Sequence, residues 1–177
     1  MDFNLSPRNE SYRKRIRNFV EQELLPLEQN PEAYDEHENI APAYLEQMRA
    51  KAREQGLWCL QIPEHLGGQG LDIQGMAACY EEMNRSIFGP VVFNSAAPDD
   101  GNMIVLAKVA TEVQQERWLK PIVDGKVRSS FAMTEPPPGC GSDPGMMQTT
   151  ATRKGDRWVI QGHKHYITGA GEASHFI

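Results

Sequence analysis

Hydrophobic residues recur at three- and four-residue steps near the start of the chain, which is the spacing of one face of a helix. They lie at Tyr12, Ile16, Phe19, Val20 and Leu24. Ser6 precedes this run as a candidate N-cap, and Pro7 suits the first helical position because its missing N–H would have no partner there. The pattern predicts an amphipathic helix over residues 6–25.

Three later segments show the same period and are predicted as helices: residues 41–55, 73–86 and 99–109. A further helix is predicted after Thr111, because Gln114 follows three residues later and completes the sequence signature of a capping box. The chain up to about residue 127 is therefore expected to be helical.

After Gly125 the pattern becomes typical of strands. The segments RSSFAM and QTTATR are rich in Ser, Thr and aromatic residues, RWVIQGHKHYIT alternates, and Lys154-Gly155-Asp156 predicts a hairpin turn. We predict an α+β fold with a helical domain over residues 1–127 and an antiparallel β domain over 128–177. Three or four strands without closure leave unpaired edges, so the β domain is expected to be incomplete.

Composition narrows the class of protein. With 40% hydrophobic and 24% charged residues the chain is typical of soluble globular proteins, and no apolar run approaches the roughly 20 residues of a transmembrane segment. The N-terminus lacks the pattern of a signal peptide, which favours a cytoplasmic or organellar location.

Lys and Arg total 18 against 24 Asp and Glu, and a net charge of -6 argues against nucleic-acid binding. The three cysteines have no CxxC spacing and are expected to be buried thiols.

The segment FAMTEPPPGCGSDPGMM, residues 131–147, combines prolines and glycines with a Gly-Ser-Asp corner. Prolines fix the backbone, whereas glycines let backbone amides approach a ligand closely. Such a corner can present amide and hydroxyl donors to an anion such as a pyrophosphate. On its own the signal is weak, because turns of this composition between strands are more often structural.

Four segments together resemble a known family: GLWCLQIPEHLGGQGLD, TEVQQERWLKPIVDGK, FAMTEP followed by GSD, and GDRWVIQGHKHYITGAGEASHFI. They are similar to consecutive landmarks of the flavin-dependent acyl-CoA dehydrogenases, in the family's order and at close to its spacing. The stretch FNSAAPDDGNM further resembles the branch that contains family members ten and eleven. The resemblance implies an N-terminal helical domain and roughly the first half of a middle β domain, with the C-terminal helical domain absent from this chain.

The resemblance also implies a set of FAD-binding residues: Phe131, Met133, Thr134, Gly141, Ser142, Tyr166 and Thr168. In the family, Thr134 would hydrogen-bond the pyrimidine edge of the flavin, and Ser142 would meet the pyrophosphate. Tyr166 and Thr168 would cover the flavin, with the hydroxyl near its N5 atom. Strand alternation predicts that these two residues and Lys164 share one face.

Two departures from the family pattern stand out. Four residues, Pro137-Pro138-Gly139-Cys140, separate TEP from GSD, where the family usually has two. Tyr166 occupies a position that is usually Trp or Phe. The longer loop affects the placement of Gly141 and Ser142 most directly.

The implied reaction is α,β-dehydrogenation of an acyl-CoA thioester, in which a base removes the α proton while the β hydride passes to FAD. The family's base is a glutamate of the C-terminal domain, and no glutamate here, including Glu64, Glu81 and Glu135, lies in a matching motif. We therefore assign no catalytic residue in this chain and expect the chain alone to be inactive. The segment from Phe93 to Met103 is expected to contribute to an acyl-chain pocket, as in the family.

The implied partners are an acyl-CoA substrate and an electron-transfer flavoprotein or similar acceptor. The full-length protein is expected to be a homodimer or homotetramer of fatty acid β-oxidation, in the cytoplasm or in the mitochondrial or peroxisomal matrix. An oxidase of the same fold and a non-catalytic binding or interaction module are the alternatives.

Other candidate residues favour structural roles. His163 and His165 have no third ligand nearby in the sequence, so no metal site is predicted. A Gly-x-Ser-x-Gly motif is absent from the sequence, which argues against a hydrolase triad. Four large residues at helical spacing are expected in the core: Trp58, Met76, Met83 and Met103.

Overall fold

The computed structural model describes residues 4–177, which divide into two units, one ending at Lys126 and the other covering Val127–Ile177. The first unit is helical. Its α-helices are α1 (Pro7–Phe19), α2 (Leu25–Glu28), α3 (Pro42–Glu54), α4 (Ile73–Met83), α5 (Gly89–Val92), α6 (Asp99–Val109), α7 (Glu112–Gln114) and α8 (Lys120–Val123). The predicted helices are confirmed, apart from their ends. None of the helices in the described residues is long and apolar enough to cross a membrane.

The helix starts predicted from polar residues are confirmed by their hydrogen bonds. The Ser6 hydroxyl accepts from the Asn9 N–H at 3.1 Å, which caps α1. The Thr111 N–H donates to the Gln114 side chain at 2.8 Å, and the Gln114 N–H donates back to the Thr111 hydroxyl at 3.4 Å. This reciprocal pair is the predicted capping box.

Two helices widen into a single π turn just before a proline. Val20–Leu24 precedes Pro26, and Gln115–Leu119 precedes Pro121. In a regular α-helix a proline lacks the N–H for its hydrogen bond, and its ring strikes the carbonyl four residues earlier. The wider turn avoids that clash and lets the chain stay helical beyond the proline. The predicted helix end at residue 25 is therefore wrong, since helical structure continues to Glu28.

The core of the first unit forms where α1 packs against α4. The Phe19 ring lies edge-on to the Phe93 ring, with 5.1 Å between centroids. Several side chains in this core are completely enclosed, among them Ile16, Val20, Leu24, Cys79 and Met83. The four large residues predicted in the core from helical spacing are also buried, which confirms that prediction: Trp58, Met76, Met83 and Met103.

A buried carboxylate joins α1 to α4. Glu82 is 2% exposed. Its oxygens accept hydrogen bonds from Arg13 at 2.8 Å and from Arg17 at 2.5 and 2.9 Å. The hydrogen bonds from Arg17 lower the pKa of Glu82 against the opposing effect of burial, and Arg13 lowers it further. Glu82 is therefore ionised and links the two helices through its ion pairs.

We expect Glu82→Gln to reduce the free energy of unfolding by about 1–3 kcal/mol at neutral pH, because Arg13, Arg17 and Arg85 each lose an ion pair. The folded-state pKa lies below the ordinary value of 4.5. The stabilisation is therefore present above that pH and is lost as the pH falls through the folded-state pKa. Urea unfolding at several pH values measures the difference. A difference between parent and variant that does not shrink in acid would contradict this assignment.

The second unit contains two pairs of strands. Strand β1 (Arg128–Ser130) pairs in parallel with β4 (Ala173–Phe176), and β2 (Thr150–Lys154) pairs antiparallel with β3 (Arg157–Gln161). Gly155 has a φ of 64° in the turn between β2 and β3, which confirms the predicted hairpin. The α+β class is confirmed, although the parallel β1–β4 pair differs from the antiparallel pairing predicted.

The β2–β3 hairpin is open to solvent on both faces. Every residue of both strands is exposed, including Trp158 and Ile160. The alternation of residue types along these strands therefore does not correspond to one buried face and one solvent-exposed face in this chain. The predicted long strand RWVIQGHKHYIT is also too long, because β3 ends at Gln161.

The three cysteines are buried and free, as predicted. Burial raises the pKa of Cys59 to about 12 and that of Cys79 to about 12. These two thiols are therefore protonated at neutral pH and are poor nucleophiles. Cys140 lies in the loop of the second unit, where its Sγ is 3.4 Å from the Met133 carbonyl oxygen.

Candidate functional site

The second unit brings two parts of the predicted site together. The His165 N–H donates to the Thr134 carbonyl at 3.1 Å. The Ser130 hydroxyl donates to the Thr168 carbonyl at 2.7 Å. The segment around Thr134 therefore runs beside the segment around Thr168, although the two are far apart in the sequence.

The predicted FAD-binding side chains are largely open to solvent. Phe131 is 47% exposed and Tyr166 is 88% exposed. Gly141, Ser142 and Thr168 are also exposed, whereas Met133 and Thr134 are partly buried. Larger exposed apolar patches often mark surfaces that a ligand or another part of the protein covers.

The prediction that Lys164, Tyr166 and Thr168 share a strand face is wrong. Residues 162–168 form no strand, and Tyr166 has a φ of 54°, in the left-handed region. A left-handed residue breaks the alternation on which the prediction depended. The Tyr166 ring instead lies against the His165 ring, with 4.1 Å between centroids.

The loop between TEP and GSD is closed by backbone pairing. Glu135 and Gly141 exchange N–H···O bonds of 3.3 and 3.2 Å, and Gly141 takes a φ of 53° that glycine adopts without strain. The Asp143 N–H donates to the Cys140 carbonyl at 2.8 Å. Gly141 and Asp143 thus use their N–H groups inside the loop. Of the Gly-Ser-Asp corner, Ser142 is left with an N–H and a hydroxyl that bond to none of the described residues.

A buried ion pair beneath this segment was not predicted. Glu135 is 2% exposed, and its Oε1 lies 2.9 Å from the Lys164 Nζ. Its carboxylate also accepts from the Thr149 hydroxyl and N–H, at 2.5 and 2.9 Å, and from the Gln148 N–H at 2.7 Å. The only signal for it in the sequence is that Glu135 is the single charged residue between Ser129 and Ser142.

These contacts keep Glu135 ionised. The hydrogen bond from the Thr149 hydroxyl, followed by that from the Gln148 N–H, holds the pKa of Glu135 well below its usual range, and Lys164 adds to the effect. A general base works best when its pKa lies near the working pH. Glu135 is therefore poorly suited to proton abstraction.

The segment expected to line an acyl-chain pocket begins and ends in the core. Phe93 and Met103 are both fully buried in the first unit. Between them, the Asp100 carboxylate accepts a hydrogen bond from the Tyr80 hydroxyl at 2.9 Å. Contact of this segment with an acyl chain stays a prediction.

Two family models match the chain: the acyl-CoA dehydrogenase N-terminal domain over residues 6–126 and the middle domain over residues 130–177. FadE2 of Mycobacterium tuberculosis, assigned as an acyl-CoA dehydrogenase, is 35% identical over 97% of this chain and 42% of its own length. Acyl-CoA dehydrogenase family member 11 of Gallus gallus is 38% identical over 89% of this chain and 20% of its own length.

Solved structures show the same fold. A Mycobacterium abscessus protein assigned as an acyl-CoA dehydrogenase has a TM-score of 0.83 and 38% identity, covering 95% of this chain and 44% of that chain. A glutaryl-CoA dehydrogenase of Mycobacterium smegmatis, solved with FADH2, shares the fold with a TM-score of 0.69 and 21% identity, covering 96% of this chain and 41% of that chain. This chain spans less than half the length of these relatives. The predicted resemblance, including that to members 10 and 11, is confirmed, and the chain belongs to the acyl-CoA dehydrogenase family.

Proposed function

We propose that the protein containing this chain is an FAD-dependent acyl-CoA dehydrogenase, in which the chain supplies the N-terminal domain and part of the middle domain. One observation carries the proposal: the two segments expected to line the flavin lie side by side, joined by the His165–Thr134 and Ser130–Thr168 hydrogen bonds. The family membership supports the same reaction class.

The predicted FAD-binding residues offer the apolar surfaces and hydrogen-bond donors that FAD requires. The exposed rings of Phe131 and Tyr166 offer apolar faces for the flavin ring system. The N–H and hydroxyl of Ser142 are unengaged donors within the described residues, suited to a phosphate oxygen. Thr134 would hydrogen-bond the pyrimidine edge and Met133 would pack on the ring. Gly141 would allow close approach of the backbone.

When bound, FAD supplies the acceptor for the hydride that leaves the β carbon of the acyl-CoA. The chain's own residues would bind and orient: the Thr168 hydroxyl would donate a hydrogen bond to the flavin, and Phe131 and Tyr166 would exclude water from it. The α proton requires a base with a pKa near the working pH, and Glu135 is held as an ion by its neighbours. The proposed base is therefore the family's glutamate of the C-terminal domain.

The remaining features of the proposal follow from the family. The substrate is an acyl-CoA thioester, and electrons leave to an electron-transfer flavoprotein or a similar acceptor. We propose a homodimer or homotetramer for the full-length protein, acting in β-oxidation. Its proposed location is the cytoplasm or the mitochondrial or peroxisomal matrix.

Anaerobic flavin reduction tests the function in the full-length protein purified with FAD. Acyl-CoA thioesters of several chain lengths are expected to bleach the visible flavin absorbance. We expect Thr168→Ala to slow this bleaching by an amount equivalent to roughly 1–3 kcal/mol, because a flavin acceptor loses its hydroxyl partner. Stopped-flow absorbance measures the rate.

Thr168→Ser is the matched control, since it keeps the hydroxyl and removes only a methyl group. It is expected to reduce at nearly the parental rate. Equal rates for parent, Ala and Ser variants would show that Thr168 does not face the flavin. Failure of every acyl-CoA to reduce the parental flavin would overturn the proposed function itself.

A further inference from the structure

Glu135 is unusual among the residues of the second unit because its charged group is enclosed. It is 2% exposed, whereas all ten strand residues of the β2–β3 hairpin are exposed. Removing a carboxylate from water is costly unless hydrogen bonds and an opposite charge compensate. Four donor groups do so here, contributed by Gln148, Thr149 and Lys164.

These donors come from two separate parts of the chain. Gln148 and Thr149 precede β2, and Lys164 follows β3. Through its carboxylate, Glu135 thus connects the TEP segment to the residues just before β2 and just after β3. Its backbone also pairs with Gly141, so the same residue closes the loop that leads to the Gly-Ser-Asp corner.

Lys164 makes a second contact that reaches the proposed flavin wall. Its Nζ donates to the Met133 carbonyl at 2.8 Å as well as to Glu135. The next residue, His165, donates its N–H to the Thr134 carbonyl at 3.1 Å. Both chain neighbours of Thr134, Met133 and Glu135, are therefore fixed by hydrogen bonds from Lys164. The Thr134 carbonyl is fixed in addition by the His165 N–H.

We propose that Glu135 and Lys164 form a positioning pair that sets the orientation of Thr134 and aligns the 131–134 segment with the 164–168 segment for flavin binding. The inference rests on the proposed function, because it assigns the pair to the FAD site. Neither side chain is a catalytic residue. The pair acts through the backbone that it holds, since Lys164 binds the Met133 carbonyl and Glu135 pairs with Gly141.

The Glu82 cluster of the first unit provides a matched comparison. Both glutamates are 2% exposed and both bind basic side chains. Glu82, however, joins two helices whose contacts lie within the helical core, and none of its partners belongs to the predicted FAD-binding set. If the Glu135–Lys164 pair is purely structural, its loss should affect stability alone, as is expected for Glu82. If it positions the flavin site, its loss should also weaken FAD binding.

The experiment uses the full-length protein with FAD. Glu135→Gln removes the carboxylate charge, and Lys164→Met removes the ammonium group at similar side-chain volume. Lys164→Arg keeps a cation, and Glu82→Gln is the control. Flavin fluorescence titration gives the FAD dissociation constant, the visible spectrum of bound FAD reports its surroundings, and urea unfolding of the apoprotein gives stability. We expect Glu135→Gln and Lys164→Met each to raise the dissociation constant about tenfold and to change the bound spectrum.

Lys164→Arg is expected to recover most of the affinity. Glu82→Gln is expected to lower stability while leaving FAD affinity and spectrum unchanged. Parental affinity and spectrum in Lys164→Met would overturn the proposal, even if Glu135→Gln failed to fold. Weakened FAD binding in Glu82→Gln to the same extent would also overturn it, because the effect would then follow stability alone. A parental protein that binds no FAD would instead overturn the proposed function, and this inference with it.

Discussion

Gly68→Ala is expected to destabilise the helical unit by about 3 kcal/mol or more, which places it among the most damaging single substitutions. A Cβ at this position would lie 2.0 Å from the Ile62 carbonyl oxygen and 2.5 Å from that of Cys59. Both neighbours are backbone atoms, so neither can turn aside as a flexible side chain would. The loop must therefore shift, which disturbs the Gly70 N–H···O bond to Ile62, 2.8 Å long. Urea unfolding followed by circular dichroism measures the loss.

Gly101→Ala is the control for this prediction. Gly101 lies in α6, it is exposed, and an added Cβ would meet nothing within 4 Å. Alanine there should stabilise the chain by up to about 1 kcal/mol, through helix propensity and a less flexible unfolded state. Equal stabilities for the two variants would show that the loop at Gly68 relaxes freely.

The 177-residue chain alone, supplied with FAD, is expected to show no measurable acyl-CoA dehydrogenase activity. Its buried glutamates are held as ions, since hydrogen bonds from Arg17 lower the pKa of Glu82 and those from Thr149 and Gln148 lower that of Glu135. Loss of a general base removes about two to four orders of magnitude in rate. Acyl-CoA-dependent reduction of an artificial acceptor measures the turnover.

The full-length protein in the same assay is the positive control, and circular dichroism verifies that the isolated chain is helical. Turnover by the chain within tenfold of the full-length rate would mean that a group in these residues accepts the α proton. Glu135→Gln would then be the first variant to measure. A loss of that turnover would assign the base to Glu135.

The helical unit could be predicted from the sequence because its signals are local. The Thr111–Gln114 capping box and the Ser6 cap depend on residues three apart, and both form as predicted. The π turns before Pro26 and Pro121 could not be predicted by period alone. A proline is compatible with either a helix end or a wider turn, so the period of the hydrophobic residues does not distinguish the two.

The FAD-binding residues of the candidate site stay a prediction, and the geometry of their segments did not follow from the sequence pattern. Motif resemblance selected Thr134 and Thr168, and hydrogen bonds bring their segments together. The alternation rule failed at Tyr166, because it assumes extended backbone and that residue is left-handed. The burial and ion pairing of Glu135 were not predicted, because its partners lie 13 to 29 residues away in sequence and no local pattern joins them.

The exposed β2–β3 hairpin has a consequence for amide hydrogen exchange. A two-stranded hairpin without a covered face is at most marginally stable in water. Its cross-strand hydrogen bonds, such as those between Thr152 and Val159, have no buried side chains to keep them closed. In the isolated chain these amides would exchange with solvent through frequent local opening, whereas amides of α1 and α4 would exchange only when the helical core itself opens. Deuterium labelling would thus separate the hairpin from the helical core by their exchange rates.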